Sequence, residues 1–195
     1  GSEHISWYQL TLEPNTLFHH RPPRLPDEDA LVDMMEAGEG LLAGAGYERY
    51  EISAYARDRR RCRHNVNYWQ FGDYLGIGAG AHGKSSGSGR PIRRHGKQRQ
   101  PAAYMAAAAA GAVVSERLLA PEELAVEFFL NAMRLTEGVP VGLFGARTGL
   151  ALQVIERPLA RARELGLMLD DPRRLQPSAL GLRFLNDLLA LFEPD

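Results

Sequence analysis

The sequence predicts an α/β chain in two parts: a βαβ unit at the start, then a small α+β domain of winged-helix outline. Two observations carry this. A strand-like run at residues 4–13, an amphipathic run and a second strand-like run at 47–56 follow one another, the order from which parallel sheets are built. From about residue 121 the pattern becomes three helices, two short strands and a last helix. The change falls at 116–121, which sets the expected domains at 1–118 and 119–195.

Each element has its own signal. Residues 4–13, "HISWYQLTLE", are rich in β-branched and aromatic side chains, and Pro14 ends them. A proline-punctuated loop follows to Pro26. Asp27 is placed to cap a helix reaching about Ala43, with Leu31, Met34, Met35, Gly38, Leu41 and Leu42 on one face. Gly44 and Gly46 are candidate helix stops. Residues 85–89 read as a polar turn, 90–95 as a hairpin strand, and Pro101 as the opening of a helix to Ala110. Helices are expected at 122–135, 141–147, 153–165 and 178–191, with two short strands around Asp171-Pro172.

Bulk properties narrow the function. Of 195 residues, 45% are apolar, enough for a packed core. The 23 basic and 24 acidic side chains leave a net charge of -1, which argues against a chain built for nucleic acid. A single cysteine, Cys62, excludes an internal disulfide and an iron–sulfur cluster held by this chain's own thiolates. No signal peptide and no membrane-length apolar run is present, so the expected setting is cytoplasmic.

The most informative stretch is 63–89, "RHNVNYWQFGDYLGIGAGAHGKSSGSG". Residues 78–83 spell G-x-G-x-x-G, but Lys84-Ser85-Ser86-Gly87 follows where a dinucleotide site needs a helix, so the match is discounted. On a strand, glycines at 76, 78 and 80 would bare one face for a flat ligand, or for a close-packed neighbour or bulge. His64 is either a ligand to a bound group or part of a buried polar cluster. Tyr68 is a second possible donor; Trp69 and Phe71 are either stacking surfaces or core. On a strand Cys62 would share the face of His64. The basic runs at 57–63 and 90–99 suit carboxylates or are ordinary solvated surface.

Four stretches together resemble a known family: "YQLTLEPNT" at 8–16, "YEISAYA" at 50–56, "CRHNVNYW" at 62–69 and "GDYLGIGAGAHG" at 72–83. They resemble the HemW family, heme chaperones of the radical S-adenosylmethionine superfamily and kin of the oxygen-independent coproporphyrinogen III oxidases. The segment from "EFFLNAMRLTEGVPV" through "LGLRFLNDLLALFEP" is similar to the small helical domain that closes this family. His64-Asn65-x-x-Tyr68-Trp69 is its most specific part.

The resemblance implies the C-terminal part of a partial (β/α) radical-SAM barrel followed by the winged-helix-like domain. It implies heme at His64, with Tyr68 and Trp69 beside it. It implies S-adenosylmethionine near Gly78, Gly80, Ala81 and His82 on the last barrel strand, and near Leu10 and Thr11 on the first strand here. The 4Fe-4S cluster belongs to an N-terminal half that this sequence lacks, so that half, or self-association, is expected to cover the barrel edge. Heme would pass to an acceptor protein, with any membrane contact peripheral and through a respiratory acceptor. The runner-up is the oxidase, which decarboxylates porphyrinogen propionates through a 5′-deoxyadenosyl radical. A third reading is a non-catalytic DNA-binding or scaffold fragment.

Overall fold

A computed structural model describes residues 1–87, 90–110 and 114–193. The chain forms two compact units, Gly1–Cys62 and Arg63–Asp195. No helix among the described residues is long and apolar enough to cross a membrane.

The first unit runs β1 (His4–Ser6), α1 (Leu17–His20), α2 (Glu28–Gly44), β2 (Glu48–Glu51) and β3 (Ala54–Ala56). Helix α2 starts where the sequence predicts: the Asp27 carboxylate accepts from the Ala30 N–H at 2.8 Å. The sheet departs from expectation. Residues 47–56 are two strands, and the order is β1-β3-β2 with antiparallel neighbours, so the expected parallel pairing is replaced. The reason is a turn made by a side chain. The buried Glu51 carboxylate accepts from the Ser53 N–H at 3.1 Å and from its hydroxyl at 2.8 Å, which reverses the chain without glycine or proline. Strand β1 is also shorter than the expected ten residues. Past it, the Trp7 N–H donates to the Ser53 carbonyl at 2.8 Å and the indole lies against Gly38 of α2, where no Cβ would fit.

The second unit begins with α3 (Arg63–Trp69), followed by β4 (His82–Gly87), β5 (Arg90–Lys97), α4 (Pro101–Ala109) and β6 (Val114–Leu118). The three strands form an antiparallel sheet in the order β4-β5-β6. Residues 85–87, expected as a polar turn, belong to β4; the rest of that turn, 88–89, lies outside the described residues. Next come α5 (Pro121–Ala132), β7 (Val139–Pro140), α6 (Gly142–Thr148), a 3-10 turn (Leu152–Ile155), α7 (Glu156–Glu164), β8 (Arg174–Leu175), α8 (Ala179–Arg183) and α9 (Leu185–Ala190). The strands expected around Asp171-Pro172 are reduced to a Met168–Pro177 bridge, and β8 pairs instead with β7. The single last helix expected at 178–191 is broken at Phe184. Helix α5 opens with proline at its first turn, and the Glu123 carboxylate accepts from the Ala120 N–H at 2.8 Å.

The core of this unit is aromatic. Phe128 and Phe129 of α5 meet Phe144 of α6, Phe71 packs edge-on to Phe128, and Phe192 stacks on Phe129 at 3.6 Å. Such offset and edge-on pairs add to what area burial alone contributes. They fasten the chain just after α3 to α5.

Candidate functional site

Helix α3 carries the H-N-x-x-Y-W motif, so His64 is on a helix and not on a strand shared with Cys62. Helical spacing puts residues i and i+4 side by side, and the His64 and Tyr68 rings meet edge to face at 4.8 Å. His64 is exposed, which removes the alternative of a buried polar cluster for this residue. Tyr68 is half-buried. Its ring lies flat on that of Tyr74, at 4.1 Å and 29°. Burial first, and then the neighbouring Tyr74 phenol, push the Tyr68 phenol above its usual value against the opposing pull of Arg94. Trp69 lies under the Arg134 guanidinium at 4.4 Å, and its indole N–H is buried with no hydrogen-bond acceptor among the described residues. Phe71 is fully buried and belongs to the core.

The segment after α3 is tied down by polar contacts. Phe71 has a left-handed backbone, φ 54°, rare for a bulky residue. Asn67 Nδ2 donates to the Asp73 carbonyl at 2.8 Å. The Asp73 carboxylate accepts from the Ser86 N–H and hydroxyl, each at 2.8 Å, with the Lys84 ammonium at 3.5 Å. Lys84 is almost fully buried, and that burial pushes its ammonium below the ordinary value although Asp73 attracts it.

The glycine-rich segment is a loop and not a strand. Gly78 and Gly80 have φ values of 97° and 72°, which strand geometry forbids. Gly76 is required for another reason: a Cβ there would lie 2.2 Å from the His82 carbonyl oxygen. The bare face that alternate glycines would give a strand therefore does not form. The loop is pinned by backbone bonds from Gly80 N–H to the Gln98 carbonyl at 2.7 Å and from Lys97 N–H to the Ala81 carbonyl at 3.0 Å. His82 is exposed at the start of β4, opposite Gly96.

The structure thus gathers His64, Tyr68 and Trp69 on α3, and Gly78, Gly80, Ala81 and His82 on one loop and strand start. Leu10 and Thr11 belong to the other compact unit, outside any strand. There Leu10 lines an apolar groove of about 380 Å³ with Trp7, Leu25, Met34 and Met35. Much of the basic run on β5 is neutralised locally: Arg93 pairs with Glu116 at 2.9 Å and Arg94 with Glu127. Sequence reasoning missed Tyr74, Lys84, Arg94 and Glu127. Tyr74 was visible as an aromatic six residues past Tyr68; the other three gain meaning only from the sheet and α5.

Residues 119–184 match the HemN C-terminal domain. The chain is 47% identical over 189 residues to the heme chaperone HemW of Escherichia coli K12, covering 97% of this chain and 49% of the relative. Its identity to the heme chaperone HemW of Haemophilus influenzae is 45% over 190 residues, with the same two shares. A solved structure of Escherichia coli coproporphyrinogen III oxidase, HemN, described as a radical SAM enzyme, superposes with a TM-score of 0.71 at 15% identity. That likeness covers 99% of this chain and 48% of the other, and it establishes a shared α/β fold. The chain spans about half the length of the curated relatives it matches, and these likenesses place it in the HemW-like family that carries the HemN C-terminal domain.

Proposed function

We propose that this chain takes part in holding heme as cargo for transfer to an acceptor protein, with His64 as the iron ligand. The observation that supports this most is the exposed His64 on α3, edge-on to Tyr68, in a sequence 47% identical to a heme chaperone. A neutral imidazole is a natural axial donor to heme iron. Tyr68 shapes the imidazole's surroundings, and on the same helix the Trp69 ring is covered by the Arg134 guanidinium.

In this reading, residues 1–118 are the C-terminal part of a radical-SAM barrel and residues 119–195 a winged-helix-like domain. S-adenosylmethionine is assigned to the backbone of Gly78, Gly80 and Ala81, with His82. The open space beside Gly78 and the left-handed turns of Gly78 and Gly80 support a close backbone approach there. The 4Fe-4S cluster does not fit this chain. It has one cysteine, and no group of three metal-ligating side chains occurs among the described residues. The likeness to coproporphyrinogen III oxidase is one of fold, so the chaperone reading stands ahead of the oxidase.

Hemin titration of the 195-residue chain and of His64→Ala, followed by Soret absorbance, tests this. A saturable, shifted band that the variant loses or alters is the expected result. An identical band and affinity in His64→Ala removes His64 as the ligand.

A further inference from the structure

Arg94 joins three parts of the second unit. It sits on β5, its Nη1 donates to Tyr74 Oη at 2.6 Å, and its Nε donates to Glu127 Oε2 at 3.1 Å, with Nη2 on the same oxygen. Glu127 belongs to α5, the first helix of the HemN C-terminal domain, and the Arg117 guanidinium approaches its other oxygen at 4.0 Å. The side chains of Arg94 and Glu127 are 28% and 18% exposed, so the pair is largely withdrawn from water. From Tyr74 the contact continues through the flat stack on Tyr68 to the edge of His64.

Each link restricts the next. A guanidinium is planar and holds two partners in fixed directions, which a lysine ammonium does not do. Its bond to the Tyr74 hydroxyl fixes where that ring lies. The Tyr74 ring is the surface on which Tyr68 rests, and Tyr68 limits the rotation of His64. An imidazole on an exposed seven-residue helix would otherwise turn about two bonds. Ordering it before iron arrives lowers the entropic cost of ligation. Groups outside the ligand shell are known to govern metal affinity in this way.

We infer that Arg94 and Glu127 are positioning residues for His64, through which the HemN C-terminal domain sets the geometry of the heme-side imidazole. This rests on the heme-holding reading above. It places the C-terminal domain in heme handling, beyond a role in packing.

The test uses the 195-residue chain with Arg94→Lys, which keeps the charge, and Tyr74→Phe, which keeps the ring and loses the hydroxyl. Two readouts are needed. In the heme-free protein, the His64 imidazole protons carry a ring-current shift from Tyr68. Both variants are expected to move those signals toward free-histidine positions and leave those of the other histidines in place. With hemin, Arg94→Lys is expected to bind on the order of tenfold more weakly with a changed Soret band, and Tyr74→Phe to shift in the same direction by less. Unmoved His64 signals, or unchanged hemin affinity in a variant whose far-ultraviolet circular dichroism is native, overturns the inference. Tyr74→Phe loses a single oxygen atom and decides the matter if Arg94→Lys does not fold. If His64→Ala binds hemin like the parent, the heme reading fails instead, and the imidazole signals alone then judge the positioning.

Discussion

The Lys84 ammonium lies 2.8 Å from the carbonyl oxygen of Phe71 and 3.8 Å from the centroid of that residue's ring. One cation thus grips a residue both by its backbone and by its side chain. Phe71 is held in a left-handed conformation that costs energy for a bulky residue, and the buried lysine is the contact that offsets it. Lys84→Met keeps the length of the stem and removes the donor. It leaves a buried carbonyl unpaired, for which the expected loss is about 1–3 kcal/mol. Urea denaturation of the variant beside the parent measures it, and an unchanged midpoint would show that Phe71 needs no such support.

Asp73 gives a pH dependence with a definite sign. Burial alone would raise its carboxyl, but the Ser86 N–H and hydroxyl together with the Lys84 ammonium outweigh it and hold the group below its usual 3.8. Between the folded and unfolded values the unfolded chain binds more protons. The carboxylate's contribution is therefore complete above the unfolded value and fades as pH falls through the folded one. The stability gap between the parent and Asp73→Asn should be constant above about pH 5 and shrink below 3.8. Urea midpoints taken across the acid range report this gap, and one that does not vary with pH would count against the depressed value.

In the heme-free chain burial and then Tyr74 raise the Tyr68 phenol above its usual value, and the ring lies flat on Tyr74 at 4.1 Å. With His64 as the iron ligand, Tyr68 acts through the packing of its ring. Tyr68→Phe, which keeps that ring, should therefore leave the ligand-sensitive features of the hemin spectrum in place at neutral pH, while His64→Ala changes them. Loss of the native Soret position in Tyr68→Phe would point to the phenolate.

The glycine loop separates two kinds of constraint. Gly76→Ala drives a methyl group to 2.2 Å from the His82 carbonyl oxygen, so backbone must move. At Gly78 the space is open and the cost is the positive φ alone, roughly 1–3 kcal/mol. Gly76→Ala should be the more destabilising of the two in a thermal melt. The reverse order would mean that the loop relaxes away from β4 at little expense.

Much of this architecture is legible in the residues. Asp27 and Pro101 mark helix starts because capping and proline chemistry act within one turn. The failures are non-local. Residues 47–56 look like one strand because Glu51, Ile52 and Ser53 include no glycine or proline; the turn depends on a carboxylate buried by the rest of the unit. Residues 76–80 mimic strand alternation because glycine at every second position fits either an extended chain or a run of left-handed turns. The H-N-x-x-Y-W residues were found as a motif, and the contact between His64 and Tyr68 followed once they proved helical. Arg94 was lost in a basic run because charge patterning says nothing of which acid a strand will face.

The chain has two tryptophans, and each compact unit holds one: Trp7 against Gly38 in the first, and Trp69 under Arg134 in the second. The protein therefore carries its own pair of optical reporters. With Trp7→Phe the emission follows the second unit alone, and with Trp69→Phe it follows the first. The two units can then be watched losing their structure separately, without any added dye or label.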